Sequence, residues 1–173
     1  MKKYLLPIVI VMLLSSCLKR KKSDNLHYFQ DCESIKGWFG VNSLTSEIKA
    51  HSGTYAILTN QKFDYSMSFT SSIAEISSKP LMKIRASVWC LSPSKLFNGG
   101  FCVQIVNPAN ENKLWITKPF ADFIKTENSW TKTVIEADIP KEALSPDNIV
   151  KVFLWNQGTV PVYADDFAIE FTE

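Results

Sequence analysis

Met82-Lys83-Ile84-Arg85-Ala86-Ser87-Val88-Trp89-Cys90-Leu91 alternates apolar with polar or amphipathic residues along its length. A β-strand sends successive side chains to opposite faces, so Met82, Ile84, Ala86, Val88 and Cys90 share one face and Lys83, Arg85, Ser87 and Trp89 the other. The even set therefore faces a core. Two more stretches carry the same rhythm: Phe101, Val103 and Ile105 alternate with Cys102, Gln104 and Val106, while Val150, Val152 and Leu154 alternate with Lys151, Phe153 and Trp155. Beside the core, this phase defines a second face carrying Arg85, Trp89, Gln104, Lys151, Phe153 and Trp155.

Outward from these runs the pattern repeats in short segments. Candidate strands are residues 26–30, 46–49, 54–59, 66–76, 82–91, 99–106, 113–117, 130–138, 149–156 and 161–171. Turn residues separate them, among them Ser52-Gly53, Asn98-Gly99-Gly100, Asn107-Pro108, Ser145-Pro146-Asp147 and Gln157-Gly158. Residues 119–125 and 141–144 have room for a helical turn each. Ten short strands with so little helix predict an all-β sandwich of two antiparallel sheets. The body, residues 26–173, has the length of one domain with its own core and no linker inside it.

The chain starts differently. Lys2 and Lys3 precede an apolar run from Tyr4 to Leu14, then Leu14-Ser15-Ser16-Cys17. A basic start, a short apolar stretch and small residues before a cysteine read as a signal peptide, and the ending resembles the lipobox of bacterial lipoproteins. Eleven residues at 1.5 Å each cover about half of a ~30 Å hydrocarbon core, too little for a transmembrane helix. The resemblance implies removal of residues 1–16 and acylation of Cys17. Residues 17–25 then form a tether, and the protein is expected in a Gram-negative envelope, lipid-anchored, at the outer membrane.

The full chain has 19 basic and 17 acidic residues. Lys2 and Lys3 leave with the signal peptide, and Lys19, Arg20, Lys21 and Lys22 crowd beside the lipid, where they either rest on anionic headgroups or stay solvated. From Ser23 onward 13 basic residues face 17 acidic ones. An acidic domain repels phosphate, so no nucleic-acid partner is expected. Without Cys17, the cysteines are Cys32, Cys90 and Cys102. Cys90 and Cys102 fall on opposite faces if their strands share a sheet, and Cβ atoms pointing apart cannot be bridged, so no disulfide is expected between them.

Three segments together resemble the jelly-roll, galactose-binding-like carbohydrate-binding modules. Phe29-Gln30-Asp31-Cys32-Glu33-Ser34 before Gly37-Trp38 is similar to their acidic opening, Ala50-His51-Ser52-Gly53-Thr54-Tyr55-Ala56 to their small-residue turn into a strand, and Val162-Tyr163-Ala164-Asp165-Asp166-Phe167-Ala168-Ile169 to their last strand. The resemblance implies a jelly-roll sandwich and a structural calcium held by Glu33, by Asp165 or Asp166, and by backbone around Ser52 and Gly53. Calcium takes six to eight oxygens, so a mixed set of this kind suits it. Asp165 shares the parity of Phe167, Ile169 and Phe171 and needs either a cation or amide donors there.

Sugar rings stack on aromatic faces while planar polar groups meet their hydroxyls. Trp89 and Trp155 with Arg85, Gln104, Lys151 and Phe153 therefore form a candidate saccharide surface; alternatively, loops cover the rings and they belong to a second small core. Trp38, Trp115 and Trp130 are assigned to structure. No Gly-x-Ser-x-Gly elbow or His-Glu-x-x-His pair occurs. Glu136 and Asp138 share one strand face roughly 7 Å apart, a pattern of solvated surface. The expectation is a non-catalytic carbohydrate-binding accessory lipoprotein; the alternative is a structural lipoprotein whose sandwich binds an envelope protein.

Overall fold

The computed structural model describes residues 26–34, 38 and 43–173. Cys17, the signal segment and the tether lie outside them. Ten strands pack as two antiparallel sheets in a jelly-roll sandwich.

The larger sheet contains β1 (His27–Gln30), β2 (Leu44–Thr45), β3 (Ala56–Thr59), β5 (Lys83–Leu91), β8 (Thr131–Asp138) and β10 (Val162–Thr172). Its order is β2-β3-β10-β5-β8, and β1 pairs with the second half of β10. The smaller sheet contains β4 (Phe69–Ser72), β6 (Gly99–Val106), β7 (Asn112–Pro119) and β9 (Ile149–Asn156) in the order β4-β9-β6-β7. Alternation places the core as expected: Ile84, Ala86, Val88 and Cys90 from one sheet meet Phe101, Val103, Ile105, Val150, Val152 and Leu154 from the other, all fully buried. Met82 does not join them. It precedes β5 and is exposed.

Residues 66–76, read as one strand, divide into β4 and a helical turn, α1 (Ile73–Ile76). Ser72 accepts a bond from the Glu75 amide while the Glu75 carboxylate accepts one from the Ser72 amide. That Ser-x-x-Glu box satisfies the turn's first donors and directs Ile73 and Ile76 into the core. The helical turns expected near residues 119–125 and 141–144 are α2 (Phe120–Phe123) and a 3-10 turn at Lys141–Ala143. The expected strand at 46–49 is replaced by β2, two residues earlier. No helix among the described residues is long and apolar enough to cross a membrane.

A bulge in β10 sets the direction of its acidic pair. Asp165 pairs with Trp89 and Ala168 with Ser87, so two residues of β10 face Val88 alone. Asp166 absorbs the extra length with φ of 49°. The bulge resets the alternation. Ala164 pairs with inward Cys90, whereas Asp165 pairs with outward Trp89, so Asp165 lies on the outer face and not with Phe167, Ile169 and Phe171.

Candidate functional site

The six residues expected on one binding face are split between the two sheets. Arg85 and Trp89 stand on β5, while Gln104 stands on β6 and Lys151, Phe153 and Trp155 on β9. Each sheet turns one face to the other, so the two groups point out of opposite sides of the sandwich. The candidate surface is therefore corrected to two surfaces with different fates.

On the larger sheet, Arg85 donates to Glu136 at 2.9 Å and lies 3.7 Å from Glu170. Lys83 sits 3.9 Å from Asp138. Glu136 and Asp138, the carboxylate pair on β8, thus flank exposed ion pairs of little energetic weight. Trp89 is covered: His51 stacks on it at 3.9 Å between ring centroids, and Trp130, whose indole N–H donates to the Lys49 carbonyl, stands edge-on to His51. A loop residue, His51, thus stands against the Trp89 ring.

The same loop brings together all five residues assigned to calcium. Glu33 Oε1 accepts the Thr54 amide at 2.6 Å and the Tyr55 amide at 2.9 Å, which holds its carboxyl below the usual range. Asp165 accepts the Ser52 amide at 3.0 Å and the Asp166 amide at 2.8 Å; burial still raises its pKa. Asp166 accepts the Ser52 hydroxyl at 2.8 Å and meets His51 Nδ1 at 2.6 Å. Gly53, at φ of 59°, passes so close to Glu33 that a Cβ would collide with its carboxylate. These oxygens are turned to protein donors. Among the described residues no group of three His, Cys, Asp or Glu side chains converges on a metal position. As arranged, the set forms a hydrogen-bonded clasp.

The outer face of the smaller sheet is built differently. Register aligns Thr70, Lys151, Gln104 and Trp115 across all four strands. In the next row Phe153 and Thr117 flank Cys102, and beyond it Tyr65 bridges to Trp155, which opposes Gly100. Gly100 is required there because a Cβ would meet the Lys118 carbonyl of β7. The rings form a line: Tyr65 lies 5.8 Å and Trp115 6.0 Å from Phe153 between centroids. Tyr65 is 50% and Trp115 43% exposed, whereas Phe153 between them is 5% exposed. Two open rings thus flank a buried one.

Polar groups edge this line. Gln104 Nε2 donates to Asn112 Oδ1 at 2.7 Å, which fixes the amide plane. The indole nitrogen of half-buried Trp155 is enclosed with no hydrogen-bond partner. Cys102 is buried beneath the row, and burial holds its thiol up at about 11, so it stays protonated. The thiols of Cys32, Cys90 and Cys102 are all free and buried. Cys90 and Cys102 belong to different sheets, with Cys90 in the core and Cys102 on the outer side.

Trp115 and Tyr65 escape a reading of the sequence. The sequence reading assigns Trp115 to structure, and its exposure corrects that. Its position on β7 opposite outward Gln104 is the available signal; Tyr65 lies between strands and has none.

The fold is that of carbohydrate-binding modules. The CBM22-1 xylan-binding domain from Paenibacillus barcinonensis Xyn10C is 12% identical, with a TM-score of 0.56 over 88% of this chain and 99% of that one. The C-terminal family 22 carbohydrate-binding module of Clostridium thermocellum Xyn10B is 15% identical at a TM-score of 0.56, covering 86% of this chain and 96% of that one. Family 16 Carbohydrate Binding Module-2 is 18% identical at 0.52, covering 80% and 92%. At such identities the likeness is one of architecture. No protein-family model and no curated protein matches the sequence.

Proposed function

We propose that the protein is a non-catalytic glycan-binding module, lipid-anchored through Cys17 in a Gram-negative envelope, and that it contacts sugar with the outer face of its smaller sheet. One observation carries the reading: Tyr65 and Trp115 stand open on either side of buried Phe153, beside a planar amide and an ammonium. Rings offer a face to sugar C–H groups, and a few aromatic anchors carry most of a binding site's energy. Exposed apolar patches of this kind mark contact sites. The xylan-binding Paenibacillus domain, of the same architecture, supports a saccharide as ligand.

Calcium at the acidic clasp is a separate proposal. The convergence of Glu33, Asp165 and Asp166 on the Ser52-Gly53 turn favours it, and the protein donors already occupying their oxygens oppose it.

A glycan array probed with residues 26–173 tests the main reading. Binding that is lost in Trp115→Ala supports it. A blank array, together with capture of an envelope protein that depends on Tyr65 and Trp115, would transfer the face to the protein-binding alternative.

A further inference from the structure

From the unpaired charge on the aromatic face we infer that the ligand is an acidic glycan, one bearing uronic acid carboxylates, and that Lys151 is the residue that selects it. The inference rests on sugar binding at this face.

Lys151 lies in the central row of the face, on β9 between Thr70 and Gln104, two residues from Phe153 on the same strand. It is half-buried, and none of the ion pairs among the described residues includes it. Three other strand cations have carboxylate partners, whereas Lys118 donates to the Val134 carbonyl and Lys132, on the opposite sheet, joins none of these ion pairs. Arg85 has Glu136 and Glu170, Lys83 has Asp138, and Lys113 has Glu111 at 3.1 Å.

The surroundings of Lys151 explain the difference. Its neighbours across and along the sheet are Thr70 on β4, Phe153 and Trp155 on β9, Gln104 on β6, and Trp115 and Thr117 on β7. None of the outward positions on these four strands is acidic. The domain from Ser23 onward nevertheless carries 17 acidic residues against 13 basic ones, so the acid excess is kept off this face. At its rim, Glu111 is engaged by Lys113 and by the Asn107 side chain, and Asp64 precedes Tyr65 in the chain.

A lysine without a carboxylate partner on a face of rings gains an ion pair from an anion that arrives with the ligand, and water leaves both charges on binding. Neutral sugars supply hydroxyls for Gln104 and C–H faces for Tyr65 and Trp115, yet leave Lys151 without a counter-charge. A uronate supplies all three. The acid excess over the rest of the domain repels the same ligand, which confines it to this face.

Calorimetric titration of residues 26–173 with oligogalacturonate and with neutral xylohexaose tests this. The expected result is a clear preference for the uronate that weakens as salt rises. Lys151→Met should lose roughly 10- to 100-fold of uronate affinity, the weight of a charged hydrogen bond, and so bring it toward the neutral-sugar value; Lys151→Arg should retain the preference. Equal affinity for both ligands, or a uronate preference that survives Lys151→Met, overturns the inference and leaves the sugar-binding reading intact. Binding of neither ligand, with a blank array, overturns both.

Discussion

His51 lies nearly parallel to Trp89, with ring centroids 3.9 Å apart and planes at 18°, and the same imidazole reaches Asp166 at 2.6 Å. One loop residue thereby closes a tryptophan that strand phase alone turns toward solvent. Trp89 belongs to a small outer cluster under the turn that carries Ser52 and Gly53, and its truncation should be felt in stability. Trp89→Ala is expected to cost about 2 kcal/mol or more, short of the 3–5 kcal/mol of a fully buried ring, and to leave glycan affinity unchanged. Urea denaturation beside titration separates the two effects; a variant of normal stability that had lost sugar binding would return Trp89 to the ligand site.

On the opposite side the expectation is reversed. Tyr65→Ala and Trp115→Ala should each remove most of the glycan affinity and little stability, because half of each ring is already in water. Leu154→Ala, which empties a fully buried position under the same sheet, should cost about 2–5 kcal/mol. If the two ring truncations unfold the domain as badly as Leu154→Ala, the line of rings is core.

The clasp should be sensitive to acid through Glu33. Two backbone amides hold its carboxyl below its ordinary value of 4.5, so the ionised form is favoured by folding. Its contribution is complete above pH 4.5 and disappears as pH falls through the folded-state value. Glu33→Gln should therefore be less stable than wild type at pH 7, and the two should converge on acidification. Asp165 runs the other way: burial raises its pKa, so its ionisation opposes folding as pH rises past its ordinary value, which partly masks the Glu33 effect in wild type. Thermal melts of both proteins from pH 3 to 7 check the convergence.

Calcium at the acidic clasp predicts a melting midpoint that is higher in millimolar calcium than in EDTA. A ligand bound only by the folded state adds about 2.7 kcal/mol at a hundred times its Kd. A midpoint equal in both would leave the oxygens of Glu33, Asp165 and Asp166 to their protein donors alone and remove the ion.

Lipid attachment predicts that Cys17→Ala releases the protein from membranes or stops its processing, since two or three acyl chains anchor firmly where one is marginal. Metabolic labelling with a palmitate analogue that left the wild type unmarked would refute the anchor.

Strand phase, turn residues and the N-terminal pattern are legible in the chain itself. Alternation is a property of neighbouring residues, so the inward sets around Val88, Val103 and Val152 can be read without any partner strand. The Ser72-x-x-Glu75 box is equally local and is the signal for α1 inside the apparent strand 66–76. Sheet membership is different: it depends on hydrogen bonds between segments far apart in the chain, and phase says only that a side chain points away from the core. Arg85 and Gln104 are outward alike, yet β5 and β6 lie in different layers, and the single face expected for them became two. The bulge at Asp166 is likewise an event of pairing, in which one extra residue of β10 is taken up against β5 and moves Asp165 to the outer side. Exposure was also decided in three dimensions. Trp89 is shut by a loop from elsewhere in the chain, while Trp115 stays open because no segment of the described chain crosses its ring. Pairing and coverage are contacts between distant residues, and local alternation carries no record of them.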